Sequence, residues 1–148
     1  MAAETVLRFR PRRTRVVCWV LAVAVVVVCT LVSFGLRGST GDGPGVFEAG
    51  DQWAMIGLGV ALAIGILMFT RPRVEADGTG IRVRNVIGGY ELPWEVVRAV
   101  RFGRGAPWAS LDLEDDDTVA VMAVQAADKQ YAVEAVRTLR ALLAEHRR

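Results

Sequence analysis

A chain of 148 residues can hold one ordinary domain, or a membrane anchor with a small domain attached. Its 53% hydrophobic content and mean hydropathy of +0.33 are high for a soluble domain, and a net charge of only +2 implies no nucleic-acid partner. The charge and the apolar residues are both unevenly spread, so the chain is best taken in order.

Residues 1–15 form a basic N-terminus, with Arg8, Arg10, Arg12, Arg13 and Arg15 set against Glu4. Two stretches without a charged residue follow, 16–36 and 52–70. As helices they reach about 31 and 28 Å, close to the ~30 Å hydrocarbon core of a bilayer. No water is available there for peptide groups, so a helix is the expected state even for the valine-rich first stretch. A Gly-rich loop between the two argues against core helices of a soluble protein. A cleaved signal peptide is the rival for the first stretch. That stretch is longer than an h-region and ends Phe34-Gly35-Leu36-Arg37, without an A-x-A-like site, so it reads as an uncleaved anchor. The Arg12-Arg13 pair lacks most of a twin-arginine pattern.

The loop 37–51 carries Arg37 against Asp42, Glu48 and Asp51, while Arg71 and Arg73 follow the second span directly. The positive-inside rule places both termini in the cytoplasm and the loop outside, in a two-span plasma-membrane protein. Trp19 and Trp53 sit near span ends, where aromatic belts are expected. Residues 38–45 have a turn composition.

Both cysteines, Cys18 and Cys29, lie in the first span. They stand about 16 Å apart along a helix, too far for a disulfide, and have no metal spacing around them. Small residues suggest how the spans pair. Cys18, Ala22, Cys29 and Ser33 share one stripe, and Gly57, Ala61 and Gly65 recur at every fourth position. This small-xxx-small pattern lets backbones approach, and chance composition is its competitor. Neither span holds an Asp, Glu, Lys, Arg or His, which argues against a pump or proton relay.

Residues 71–148 carry equal numbers of basic and acidic side chains. Strands are expected at 73–77, 81–84, 90–94, 97–102, 108–113 and 118–124. Asp77-Gly78-Thr79-Gly80, Gly88-Gly89 and Glu114-Asp115-Asp116-Asp117 supply turns between them. Connections this short predict an antiparallel meander. From Asp128, the expected N-cap, the period becomes helical, with Ala132, Val136, Leu139 and Leu143 on one face. Arg140, Arg147 and Arg148 suit the C-terminal end of that helix. Trp94 joins Val136, Leu139 and Leu143 in the expected core. The predicted fold is a membrane-anchored α+β chain: a two-helix transmembrane hairpin, then a small antiparallel β-meander or barrel with a C-terminal α-helix.

The run Gly80-Ile81-Arg82-Val83-Arg84, with Leu92-Pro93-Trp94, an acidic turn and a terminal helix, resembles the bacterial PH-like domain. The whole of 16–145 is similar to actinobacterial two-helix membrane PH domain proteins of the low-molecular-weight antigen type. The resemblance implies a PH-like barrel, abbreviated here because six strands stand where the full fold has seven. The phosphoinositide site of some eukaryotic PH domains uses basic residues around the first hairpin. The turn 77–80 has neither Lys nor Arg, so that function does not carry over.

Arg82, Arg84, Arg98 and Arg101, with Arg104, can be read as a basic stripe facing anionic lipid. The reading preferred over it is a solvated face paired with acids such as Glu91 and Glu95. Asp115–Asp117 lacks EF-hand spacing, His146 has no nucleophile beside it, and the Gly-rich pieces lack the Lys-Ser/Thr of a P-loop. No catalytic, cofactor-binding or metal residue and no small-molecule substrate is indicated. Two functions remain: an interaction or scaffolding module offering a groove or strand edge to an unidentified membrane or cytoplasmic protein, and an envelope module docking on anionic lipid.

Overall fold

The computed structural model describes residues 6–36 and 49–148, so the turn expected at 38–45 lies outside the described residues. The chain divides into two compact units, residues 1–14 with 71–148, and residues 15–70.

The β unit holds seven strands rather than six. The additional one, β1 (Leu7–Phe9), comes from the basic N-terminus. Its Leu-Arg-Phe alternation puts Leu7 and Phe9 inward and Arg8 outward, the pattern of a half-buried strand. The chain then forms α1 (Arg12–Gly35) and α2 (Ala49–Met68), and only afterwards returns as β2 (Arg73–Ala76) to pair antiparallel with β1. β3 (Gly80–Arg84) and β4 (Gly89–Pro93) complete a four-stranded sheet in the order β1-β2-β3-β4. A single 3-10 turn at Trp94–Val96 ends that sheet. β5 (Val97–Arg101), β6 (Trp108–Leu113) and β7 (Thr118–Gln125) form a second antiparallel sheet, so the expected single meander is two sheets.

The inner faces close on α3 (Gln130–His146), which buries Ala132, Ala135, Val136, Leu139 and Leu143 against Val74, Ile81, Val83, Trp94, Val97 and Leu111. Trp94 is fully buried and its indole N–H donates to Asp77 O at 2.8 Å, so its one polar atom is satisfied. Asn85 joins the two sheets: its Nδ2 donates to Ala120 O at 2.8 Å and its Oδ1 accepts from Met122 N at 3.2 Å. Arg140 of α3 and Arg147, which caps its C-terminus, reach the carbonyls of the edge strand β5, at Val100 O (3.0 Å) and Val97 O (3.1 Å). Those guanidiniums cover an edge that would otherwise offer acceptors to another chain.

Asp128 caps a different helix from the one expected. Its carboxylate oxygens accept from the N–H groups of Arg12 (3.1 Å) and Arg13 (2.9 Å), the first residues of α1. α3 begins two residues later, after Lys129 at φ 48, with no side-chain cap. An acidic residue just before a helical run is a good cap, but Asp128 lies in its own 3-10 turn and meets the orphan N–H groups of α1 instead. With this cap, and Pro11 buried just ahead of it, α1 starts at Arg12 rather than at 16. The Thr14 hydroxyl also bonds to Gln125 Oε1, and the Arg12 guanidinium stacks 4.5 Å from the Tyr131 ring centroid.

In the unit of residues 15–70, α1 buries Cys18, Ala22 and Ser33, with Cys29 half-buried. The face expected of α2 is incorrect: Gly57, Ala61 and Gly65 are exposed, and a methyl group at Gly57 or Gly65 would meet nothing within 4 Å. The buried residues are Gln52, Gly59 and Ala63. A methyl group at Gly59 would stand 2.7 Å from Cys29 Cβ, so glycine is what allows the approach. A two-residue offset turns a helix by about 200°, which moves the contact to the opposite face.

Candidate functional site

The outer face of the first sheet carries charges whose arrangement follows from the register. Across one row stand Arg8, Glu75, Arg82 and Glu91, one from each strand. Signs alternate, and neighbours pair: Arg8 Nε to Glu75 Oε1 at 3.2 Å, Arg82 Nε to Glu91 Oε1 at 2.8 Å. The hydrogen bond and charge of Glu91 hold the Arg82 guanidinium above its usual range. This row is what a stable solvated sheet face needs.

The adjacent row, at the end of the sheet joined to α2, breaks the pattern. Arg73 stands directly opposite Arg84, and Arg84 opposite Gly89. Arg73 reaches Glu75 only at 3.9 Å, and among the described residues Arg71 and Arg84 have no ion pair. Like charges opposed across a sheet cost stability, so this row is a local violation that packing does not explain. The three arginines rim an open cleft of about 540 Å³, whose lining also includes the paired Glu75, Arg82 and Glu91 with Asn85 and Tyr90. Convergent guanidiniums of this kind suit a phosphate or carboxylate, which each can hold bidentately.

The proposed arginine stripe therefore divides. Arg82 and Arg84 lie on the first sheet, Arg98 and Arg101 on the second. Arg98 bonds Asp116 at 2.6 Å, which holds it above its usual range, and Arg101 meets Asp112 at 2.5 Å. Arg82 and Arg84 both line the cleft, but Arg82 is bound to Glu91, so of the four Arg84 alone stands there without an ion pair among the described residues, in company with Arg71 and Arg73. The acidic turn is engaged locally: Asp116 sits at φ 66, and Asp115 and Asp117 accept from backbone N–H groups within the turn. His146 is not isolated, since its Nε2 lies 3.1 Å from Glu95 Oε1. Among the described residues no group of three or more His, Cys, Asp or Glu is placed to hold a metal ion. Trp94, Val136, Leu139 and Leu143 are all buried in the core, while Trp108 is partly exposed at the start of β6. The turn 77–80 proves to be the second strand connection, because β1 precedes it; the first connection is the helical insertion between β1 and β2.

Two side chains went unread in the sequence. Val86 and Ile87 form the centre of the β3–β4 turn, closed by Asn85 N donating to Gly88 O at 3.2 Å, with Gly88 at φ 77. Ile87 is 86% exposed. Turn centres favour Gly, Asn, Asp or Ser, so two β-branched apolar residues there were the available signal.

Residues 71–142 match the family model described as Bacterial PH domain. Uncharacterized proteins of Mycobacterium tuberculosis (strain ATCC 25618 / H37Rv) and Mycobacterium bovis are each 42% identical over 126 residues, covering 85% of this chain and 82% of theirs. No solved structure matches. With two sheets of four and three strands closed by a C-terminal helix, the chain belongs to the bacterial PH domain family. It also has two helices long and apolar enough to cross a membrane.

Proposed function

We propose that this protein is a non-enzymatic, membrane-anchored PH-domain module that presents an interaction surface to a protein partner at the cytoplasmic face of the plasma membrane. The observation that carries this reading is the pairing of β1 with β2 across the helical hairpin. Strands that flank an insertion and hydrogen-bond to each other keep both ends of that insertion on one side of a bilayer, in agreement with the arginine bias. The links are short: residues 10–11 between β1 and α1, and 69–72 between α2 and β2. The domain is thus tethered by short links rather than by a long linker, as suits a platform whose task is position.

Two measurements test this. In a chain lacking its native cysteines, Arg8→Cys and Glu75→Cys stand opposite each other and should form a disulfide in native membranes. Cysteine at position 43 should label from outside intact cells and cysteine at 148 should not; the reverse would sink the topology. For the platform itself, proteins labelled from a C-terminal proximity tag should be lost when Leu139→Asp unfolds the domain but leaves the helices inserted. An unchanged labelled set would reject it.

A second reading, docking on anionic lipid, is supported by one observation: Arg71, Arg73 and Arg84 line a cleft without a close acid of their own, although Glu75 and Glu91 line it too, while Arg82, Arg98 and Arg101 are paired with acids.

A further inference from the structure

We infer that the β3–β4 turn is a membrane-docking foot: Val86 and Ile87 enter the headgroup layer of the protein's own bilayer, while Arg71, Arg73 and Arg84 hold anionic phospholipid phosphates beside them. This rests on the reading that α1 and α2 span the membrane, and it names the partner of the arginine cleft.

Four independent features converge on one end of the domain. Register comes first. Arg73 begins β2, and its partners are Arg84, which ends β3, and through Arg84 Gly89, which begins β4. The turn at 85–88 therefore projects from the end of the sheet where the chain arrives from α2. Reach is the second. Four residues, 69–72, separate α2 from β2, so Arg73 stays within about 17 Å of the helix end however those residues are arranged. Charge is the third. The other end of the domain carries an excess of acids: in the β6–β7 hairpin Trp108 pairs with Gln125 and Asp112 with Thr118, and Glu114 to Asp117 lie beyond the latter pair, with Glu114 bound to Arg147 and Asp116 to Arg98 but Asp115 and Asp117 in no ion pair among the described residues. Gln125 bonds Thr14 and Asp128 caps Arg12, so the basic start of α1 sits at the Trp108–Gln125 end, away from the acidic turn. A domain with that polarity is drawn to an anionic surface by its arginine end.

Chemistry is the fourth. A bilayer interface asks for apolar side chains flanked by guanidiniums, with aromatic rings at headgroup level. Ile87 is 86% exposed, Tyr90 is half-exposed, and the arginines stand directly behind them. Of the other hairpin connections, Asp77–Gly80 and Glu114–Asp117 carry the polar residues that turns in water favour, and 102–107 carries Phe102, Gly103, Arg104, Gly105, Ala106 and Pro107. The turn with two β-branched apolar residues at its centre is thus the β3–β4 turn, at the end of the sheet where the chain arrives from α2.

The test uses the full chain in vesicles, with Cys18→Ala and Cys29→Ala as background and an environment-sensitive fluorophore on Ile87→Cys or, as control, on Asp115→Cys. In phosphatidylcholine vesicles containing phosphatidylglycerol, the label at 87 should shift to the blue and resist iodide quenching, and the label at 115 should stay aqueous. Replacing Arg71, Arg73 and Arg84 by Gln should lower the ratio of docked to undocked label roughly a hundredfold, as should omitting phosphatidylglycerol. A label at 87 that stays in water overturns the proposal. Equal protection in pure phosphatidylcholine and in the triple variant overturns the assignment of the arginines to lipid phosphate. Alkaline extraction of the same vesicles separates the two readings: a chain that washes off removes the spanning helices, while a chain that remains with an aqueous 87 removes only the foot.

Discussion

Asn85 performs at the seam between the sheets what a pair of peptide groups performs within one. It gives a donor to Ala120 O and takes a hydrogen from Met122 N, both on β7, from a buried position at the end of β3. Asn85→Ala leaves those two backbone groups without partners, which costs about 1–3 kcal/mol. Urea unfolding of the full chain in detergent, followed by the near-UV signal of Trp94, should show that loss; a midpoint within error of wild type would remove Asn85 from the seam. Asp77 makes a more local contribution. Its Oδ1 accepts from the Thr79 hydroxyl (2.6 Å), Thr79 N (2.8 Å) and Gly80 N (3.1 Å). The Thr79 hydroxyl is the largest influence holding this carboxyl below its ordinary range, the two N–H groups and Arg82 act in the same direction, and burial opposes them. A depressed folded-state value means stability that is complete above the unfolded value, near 3.9, and is lost as pH falls through the folded one. Asp77→Asn should therefore lower the midpoint near neutral pH, by a gap that closes below about pH 4. A gap constant with pH would mean that the charge is not what the turn uses.

Among the elements, the strands from β2 to β7 were legible because each alternates within a run of four or more residues and is bounded by turn chemistry. The inner face of α3 was legible because Ala132, Val136, Leu139 and Leu143 keep a helical period. β1 was not. Three residues carry almost no periodic signal, and its partner lies beyond both long helices, at a separation no local pattern spans. Asp128 was misassigned for the same reason, since its acceptors serve a helix start more than a hundred residues away. The cleft was half legible: Arg82 and Arg84 were singled out, but which arginines are neutralised depends on register, and that places Glu91 opposite Arg82 and only Arg73 and Gly89 opposite Arg84. For α2, small residues occur on both faces, and composition alone gave Gly57, Ala61 and Gly65. The structure makes a different prediction. Gly59→Leu pushes a branched side chain into Cys29 and should destabilise the hairpin by about 1–3 kcal/mol, whereas Ala61→Leu and Gly57→Leu, on the open face, should be nearly neutral. Thermal melts in detergent and steady-state levels in membranes would rank the three; equal losses would return the contact to the Gly57 face.

At the scale of the whole molecule, the hairpin is a very long loop between two neighbouring strands of one sheet. Loop-closure entropy grows only slowly with length, so such an insertion is tolerated if the strands it separates still find each other. The strand ahead of α1 is then a structural part of the PH domain, although the family match begins only at residue 71. It follows that the domain should survive removal of its anchor only if β1 is kept. A chain in which residues 12–70 are replaced by a short Gly-Ser linker should fold as a soluble seven-stranded domain, since β1 and β2 are antiparallel neighbours. Residues 71–148 alone would expose the edge of β2 and the part of the core that Phe9 covers. Two half-buried side chains, Leu7 and Phe9, make that difference roughly 1–3 kcal/mol, a large share of what so small a domain has to spare. Urea midpoints of the two soluble chains decide the matter, with Phe9→Ala in the linked chain as an internal check expected to fall between them. If 71–148 is as stable as the linked chain and Phe9→Ala changes nothing, β1 is no part of the domain, and the inference that β1–β2 pairing fixes both ends of the hairpin on one side of the membrane loses its basis.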